Sequence, residues 1–152
     1  MRIGLIGLGR IGAFHADTLA GLDHVDELVV TDPVAAVVEA VTGRIGKAAA
    51  VADPDALLAS GVDGVVIAAA TPAHPELLLA AVDAGLPTFC EKPLAGRIDD
   101  ALDVAAKLAG RDERVVQERA VVGVGEVLDV EEPAAAAPRT ARIALADKVA
   151  AA

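Results

Sequence analysis

The sequence predicts a doubly wound α/β fold, a parallel sheet with helices on both faces. Three observations lead there. Short continuous apolar runs alternate five times with amphipathic stretches over the first 110 residues. Strands buried on both faces read as such runs, and parallel strands need crossovers between them. The first run passes directly into a glycine-rich turn. The chain is 55% apolar but only 1% aromatic, so its core is built from Ala, Val, Leu and Ile, and 152 residues are enough to bury one.

The first strand is Arg2 to Ile6. A helix over Arg10 to Leu22 follows, with Ile11, Phe14, Thr18 and Leu22 at helical spacing. Glu27 to Thr31 is a second strand, ended by Asp32 and Pro33. Val34, Val37, Val38 and Val41 then mark one face of a helix that Gly43 stops. Ala48 to Ala52 is a weak third strand. Asp53 caps a short helix with Pro54 at its first position. Gly64 to Ala69 is the clearest buried strand, and Pro75 to Ala84 a helix closed by Gly85. Thr88 to Cys90 is a fifth strand. Asp99 to Ala109 is a helix with acids in its first turn, Lys107 in its last and Gly110 as its stop. A full dinucleotide-type sheet wants a sixth strand. Val115 to Gln117 or Ala120 to Val124 supplies it, the first being preferred. Should neither dock, the bare edge would favour a homo-oligomer.

Past Gly110 the pattern changes. Arg111 to Arg119 is charge-dense, Ala120 to Val130 Val-rich, Glu131 to Pro138 a linker, and Thr140 to Ala152 a short or frayed helix. About forty residues cannot bury a core of their own. The abrupt shift of composition is what a truncated or shifted reading frame would leave.

A net charge of -10 argues against nucleic acid or an anionic membrane surface as a partner. The lone Cys90 excludes an internal disulfide framework and fits a cytoplasmic protein. No apolar run reaches the roughly 20 residues that span a bilayer. The glycines of MRIGLIGLG and the polar His15 to Asp17 argue against a signal peptide. No metal site is expected.

Gly7-Leu8-Gly9-Arg10-Ile11-Gly12 reads G-x-G-x-x-G, between a strand and a helix, with Asp32 20 residues beyond Gly12. Gly7 permits the tight turn, Gly9 lets a pyrophosphate approach the backbone, and Gly12 lets the helix pack close. The free N–H groups of the helix start then hold the phosphates. A bare glycine turn of another α/β protein is the alternative. Asp32 can accept hydrogen bonds from both adenosine ribose hydroxyls, and Pro33 offers no cation for a 2′-phosphate, so the cofactor is NAD rather than NADP. Asp32 can equally cap the helix that follows.

Lys92 follows the fifth strand and lies at the same sheet edge, where ligands bind in such folds. Its ammonium can hydrogen-bond the oxygen of a secondary alcohol that loses hydride. Glu91 can accept from the nicotinamide ribose, and Pro93 fixes the turn. By residue type alone, Glu91 and Lys92 could also be a solvated surface pair. His15, inside the first helix, reads as a neutral or exposed helix-surface residue. His74, at a helix start, is either a cap-region or surface residue or part of a cofactor loop. His24 reads as solvated and Cys90 as a buried strand residue.

GLGRIGAFHA, TPAHPE and CEKPLA, in this order, resemble the N-terminal half of the Gfo/Idh/MocA oxidoreductases, in the flavour of inositol 2-dehydrogenase-like members. The resemblance covers about residues 1 to 110. It implies a Rossmann-type domain, here expected over 1–118 with a non-matching tail at 119–152, and NAD as cofactor. It implies that Lys92 is the catalytic-site lysine, that Glu91 and Pro93 line the nicotinamide end, that Thr71 and Pro72 touch the cofactor ribose, and that His74 lies near that loop. The substrate it implies is a polyol or sugar. Family members carry a second domain with an Asp-x-x-x-His pair whose His is the general base. This chain has no His after His74, and residues 111–152 match nothing there. Little activity is therefore expected from the chain alone. A non-catalytic NAD-binding subunit that needs a partner is the alternative, and a methyltransferase-type nucleotide enzyme a third.

Overall fold

The computed structural model describes residues 1–108 and 115–117, all within a compact unit spanning Met1–Ala120. The strands are β1 (Arg2–Ile6), β2 (Glu27–Thr31), β3 (Ala48–Ala50), β4 (Gly64–Ile67), β5 (Thr88–Cys90) and β6 (Val115–Gln117). The helices are α1 (Arg10–Ala20), α2 (Ala35–Arg44), α3 (Pro54–Leu58), α4 (His74–Asp83) and α5 (Ile98–Leu108), with a 3-10 turn at Thr71–Ala73 before α4. Among the described residues the sheet has six parallel strands in the order β3-β2-β1-β4-β5-β6. This is the Rossmann order, with its reversal between β1 and β4. The preferred sixth strand pairs as expected, Thr88 opposite Val115 and Cys90 opposite Gln117.

Right-handed crossovers running from β1 to β3 place α1 and α2 on one face. Those returning through β4 and β5 place α3, α4 and α5 on the other. On that second face Leu57 of α3, Leu78 and Val82 of α4 and Val104 of α5 pack on Ile6, Val29, Val65, Ile67 and Cys90. Leu57 and Leu78 are fully buried, each worth about 1.5–3 kcal/mol relative to exposure.

The structure differs from the sequence reading in several places. The buried face of α1 is Gly12, His15, Ala16 and Leu19, while Ile11 and Phe14 are 44% and 52% exposed. Gly12 and Ala16 are small enough to let the helix approach the sheet closely, and Ile11 and Phe14 are turned to the outer side. The helix ends at Ala20, short of Leu22, where the last turn tightens to i→i−3 bonds from the Gly21 amide to Thr18 and from the Leu22 amide to Leu19. β3 stops at Ala50, at a sheet edge where Ala49 and Ala50 are exposed. α4 begins at His74, one residue early, with Pro75 in its first turn. The tail expected at 119–152, with its strand, linker and helix, lies outside the described residues.

Candidate functional site

The carboxyl edge of the sheet gathers the groups singled out above. At the end of β1 the Gly7 amide donates to the Thr31 carbonyl at 2.9 Å, and its φ of +92° is one that side chains rarely adopt. A Cβ on Gly7 would fall 2.5 Å from the backbone of Ala69. On Gly12 it would fall 1.9 Å from the Gly7 carbonyl oxygen. On Gly9 it would meet nothing within 4 Å. Gly7 and Gly12 are thus required by the fold itself, whereas Gly9 leaves open space in front of the helix.

Gly9, Arg10 and Ile11 are exposed there. α1 has no side-chain cap and no acid in its first turn, so its positive end and amide donors are left to meet an anion from outside. Those residues fit a diphosphate.

Leu8 is buried, and its amide donates to Asp32 Oδ2 at 2.7 Å; the Val34 amide donates to Oδ1 at 2.8 Å. Asp32 therefore does not cap α2, whose N-cap is Val34 without a side-chain bond. It closes an Asx turn over Pro33 and ties down the glycine loop. A carboxylate has about four acceptor positions, so two remain for sugar hydroxyls.

On the other side of β1, Thr71 is half-buried and Pro72 exposed, both in the 3-10 turn after β4. His74 is buried at 1% exposure, so the surface reading of it fails. Its Nδ1 faces the Pro93 carbonyl oxygen at 2.8 Å and its Nε2 the Ala69 carbonyl oxygen at 2.9 Å. The ring thus bridges the strand β4 exit to the loop after β5.

In that loop the Glu91 amide donates to the Ile67 carbonyl at 2.9 Å, and the Lys92 amide lies 3.3 Å from Glu91 Oε2. Lys92 and Pro93 are exposed, and the bond between them is cis. Glu91 is not a solvated surface acid. Its Oε1 accepts from His15 Nε2 at 2.6 Å, with side chains 13% and 6% exposed. The His15 ring is held edge-on by Phe89 and Phe14, at centroid distances of 5.6 and 6.1 Å. His15 is thus buried, contrary to the helix-surface reading. Its partner lies 76 positions away, beyond the reach of local periodicity. The one local signal was its place three and four residues from Gly12 and Leu19, on the face that must pack. Burial, and then the neighbouring Glu91 charge, push the Cys90 thiol up to about 12, which leaves it a protonated core residue. His24 is exposed as expected.

Among the described residues no group of three or more His, Cys, Asp or Glu could hold a metal, and no helix is long and apolar enough to cross a membrane.

Residues 1–120 match the model of the oxidoreductase family described as having an NAD-binding Rossmann fold. The chain is 36% identical over 118 residues to inositol 2-dehydrogenase 3 of Saccharopolyspora erythraea. That match covers 77% of this chain and 35% of the relative. Among solved structures, a myo-inositol dehydrogenase from Corynebacterium glutamicum superposes with a TM-score of 0.69 at 35% identity, over 77% of this chain and 35% of that one. A scyllo-inositol dehydrogenase from Lactobacillus casei, solved with bound NAD(H) and scyllo-inositol, superposes with a TM-score of 0.71 at 25% identity, over 78% and 36%. The chain thus spans about a third of the length of these relatives.

Proposed function

Since the chain belongs to the oxidoreductase family with an NAD-binding Rossmann fold, we propose that it binds NAD along the carboxyl edge of its sheet and serves the oxidation of a polyol or sugar hydroxyl. The observation that carries this reading is the open space at Gly9, at an uncapped helix start, beside Asp32. The diphosphate sits against Gly7 to Gly12 with the Leu8, Gly9, Arg10 and Ile11 backbone around it. Asp32 holds the adenosine ribose and excludes a 2′-phosphate by charge. Thr71, Pro72 and His74 border the far half of the cofactor, with Glu91 and Pro93.

NAD, when bound, supplies the hydride acceptor for a secondary alcohol. Lys92 is the catalytic residue: its ammonium donates a hydrogen bond to the substrate oxygen and stabilises negative charge that develops there. The hydroxyl proton needs an acceptor as well, and an ammonium is a poor one. The 152 residues therefore bind the cofactor but turn over a polyol slowly, or not at all, unless a substrate-binding segment supplies the base. The inositol dehydrogenases named above favour a cyclic polyol as substrate.

Titration calorimetry with NAD and NADP tests the reading. Binding of NAD, with NADP weaker by about tenfold or more from one misplaced carboxylate–phosphate contact, is expected. No heat with either at millimolar concentration would remove the proposal. A second reading, a non-catalytic NAD-binding subunit, is favoured by the short span of the chain against its relatives. It predicts the same binding with no turnover of any polyol by this chain.

A further inference from the structure

Glu91 lies at the rim of the sheet, yet its carboxylate turns inward onto a buried imidazole. That imidazole, His15, belongs to α1, the helix whose start faces the space at Gly9. Phe89, two residues before Glu91 on β5, closes over the ring from one side and Phe14 from the other. The hydrogen bond is thus made by a ring with little room to swing. In the strand order β2-β1-β4-β5, Asp32 and Glu91 stand three strand spacings apart, about 14 Å at about 4.8 Å each. Gly9 falls between them. An extended dinucleotide with its diphosphate at Gly9 and its adenosine ribose at Asp32 must put its other riboside over β4 and β5, at Glu91.

We propose that His15 is a positioning residue: it fixes the Glu91 carboxylate and so shapes the half of the pocket that receives the nicotinamide riboside, while the start of the same helix serves the phosphates alone. The inference rests on the NAD reading above. A purely structural histidine, one that only holds α1 on the sheet, would affect both halves of the pocket together. A positioning histidine affects one.

Calorimetry on the full chain with two ligands, NAD and ADP, separates these roles, because ADP has the adenosine and both phosphates but no nicotinamide riboside. For His15→Leu, NAD affinity is expected to fall about tenfold, the equivalent of one hydrogen bond to a charged group, and ADP affinity to hold within about twofold. His15→Gln, which keeps an N–H donor, restores most of the NAD affinity. His15→Leu combined with Glu91→Ala binds NAD no more weakly than Glu91→Ala alone, since the two act through one contact. Equal losses for NAD and ADP, or additive losses in the double variant, would overturn the inference and leave NAD binding intact. If His15→Leu does not fold, Glu91→Ala decides: an unchanged NAD-to-ADP ratio overturns the inference. A wild-type chain that binds neither ligand removes the NAD reading, and the inference with it.

Discussion

The three glycines of the loop look alike in sequence but differ in what surrounds them, and substitution separates their roles. Gly12→Ala drives a methyl group to within 1.9 Å of the Gly7 carbonyl oxygen. Backbone cannot yield there, so a loss of roughly 2–4 kcal/mol of stability is expected, read as a lower denaturation midpoint. Gly9→Ala meets nothing within 4 Å, so its midpoint should stay within about 0.5 kcal/mol of wild type. Its NAD affinity should nonetheless drop, because the methyl occupies the space a phosphate needs. Equal midpoints for the two variants would contradict this assignment. Cys90 gives a second residue-level expectation. Its thiol is held up at about 12 by burial and by Glu91, so at pH 8 the native chain should resist iodoacetamide and the urea-unfolded chain should react. The raised value also has a consequence for stability. Above the ordinary thiol range the unfolded chain releases this proton while the folded chain keeps it, so stability falls as pH rises from about 9 toward 12.

At the scale of elements, Asp32 couples two of them. It accepts from Leu8 in the glycine loop and from Val34 before α2. Asp32→Ala leaves both amides without their acceptor, and about 1–2 kcal/mol of stability should go. In the same variant the preference for NAD over NADP should shrink by about tenfold, as a pair of titrations would show; an unchanged preference would place the ribose elsewhere. Much at this scale was legible in the sequence. The glycine loop between an apolar run and a helix, and the acid 20 residues on, fixed β1, α1 and β2 because each has a local signature. Val115 to Gln117 was one of two Val-containing candidates for the sixth strand, and residue types alone separate them little. The packed face of α1 was misread, since Gly12, His15 and Ala16 carry little hydrophobicity and owe their burial to close backbone approach. The His15–Glu91 and His74–Pro93 contacts join residues 76 and 19 positions apart, and no periodicity records such distances. The helix α5 presents Ile98 and Leu102, 76% and 58% exposed, on the side away from Val104.

For the molecule as a whole, the described strands form a sheet with every candidate group along one rim. Asp32, the glycine loop, Thr71, His74 and Glu91 to Pro93 follow β2, β1, β4 and β5 in turn. Ligands of open parallel sheets lie beyond this edge because the strand order reverses there and opens a crevice. The chain covers 35% of its curated relative, so binding and turnover are separable expectations. Purified chain mixed with NAD and myo-inositol should bind the cofactor yet reduce it at a rate far below that of a full-length relative assayed alongside. Lys92→Ala should abolish whatever rate remains and leave NAD affinity within about twofold. Turnover that survives Lys92→Ala would take the lysine out of the chemistry.

The central place of β1 has a kinetic consequence. Ile3 to Ile6 pair with β2 on one side and with Gly64 to Ile67 on the other. On a ribosome the nascent segment would hold one satisfied border once residue 31 has emerged, and would wait for residue 67 to gain its second. Throughout that interval a row of unpaired amides and carbonyls stays open to any passing extended peptide, a window in which chaperone binding should matter most.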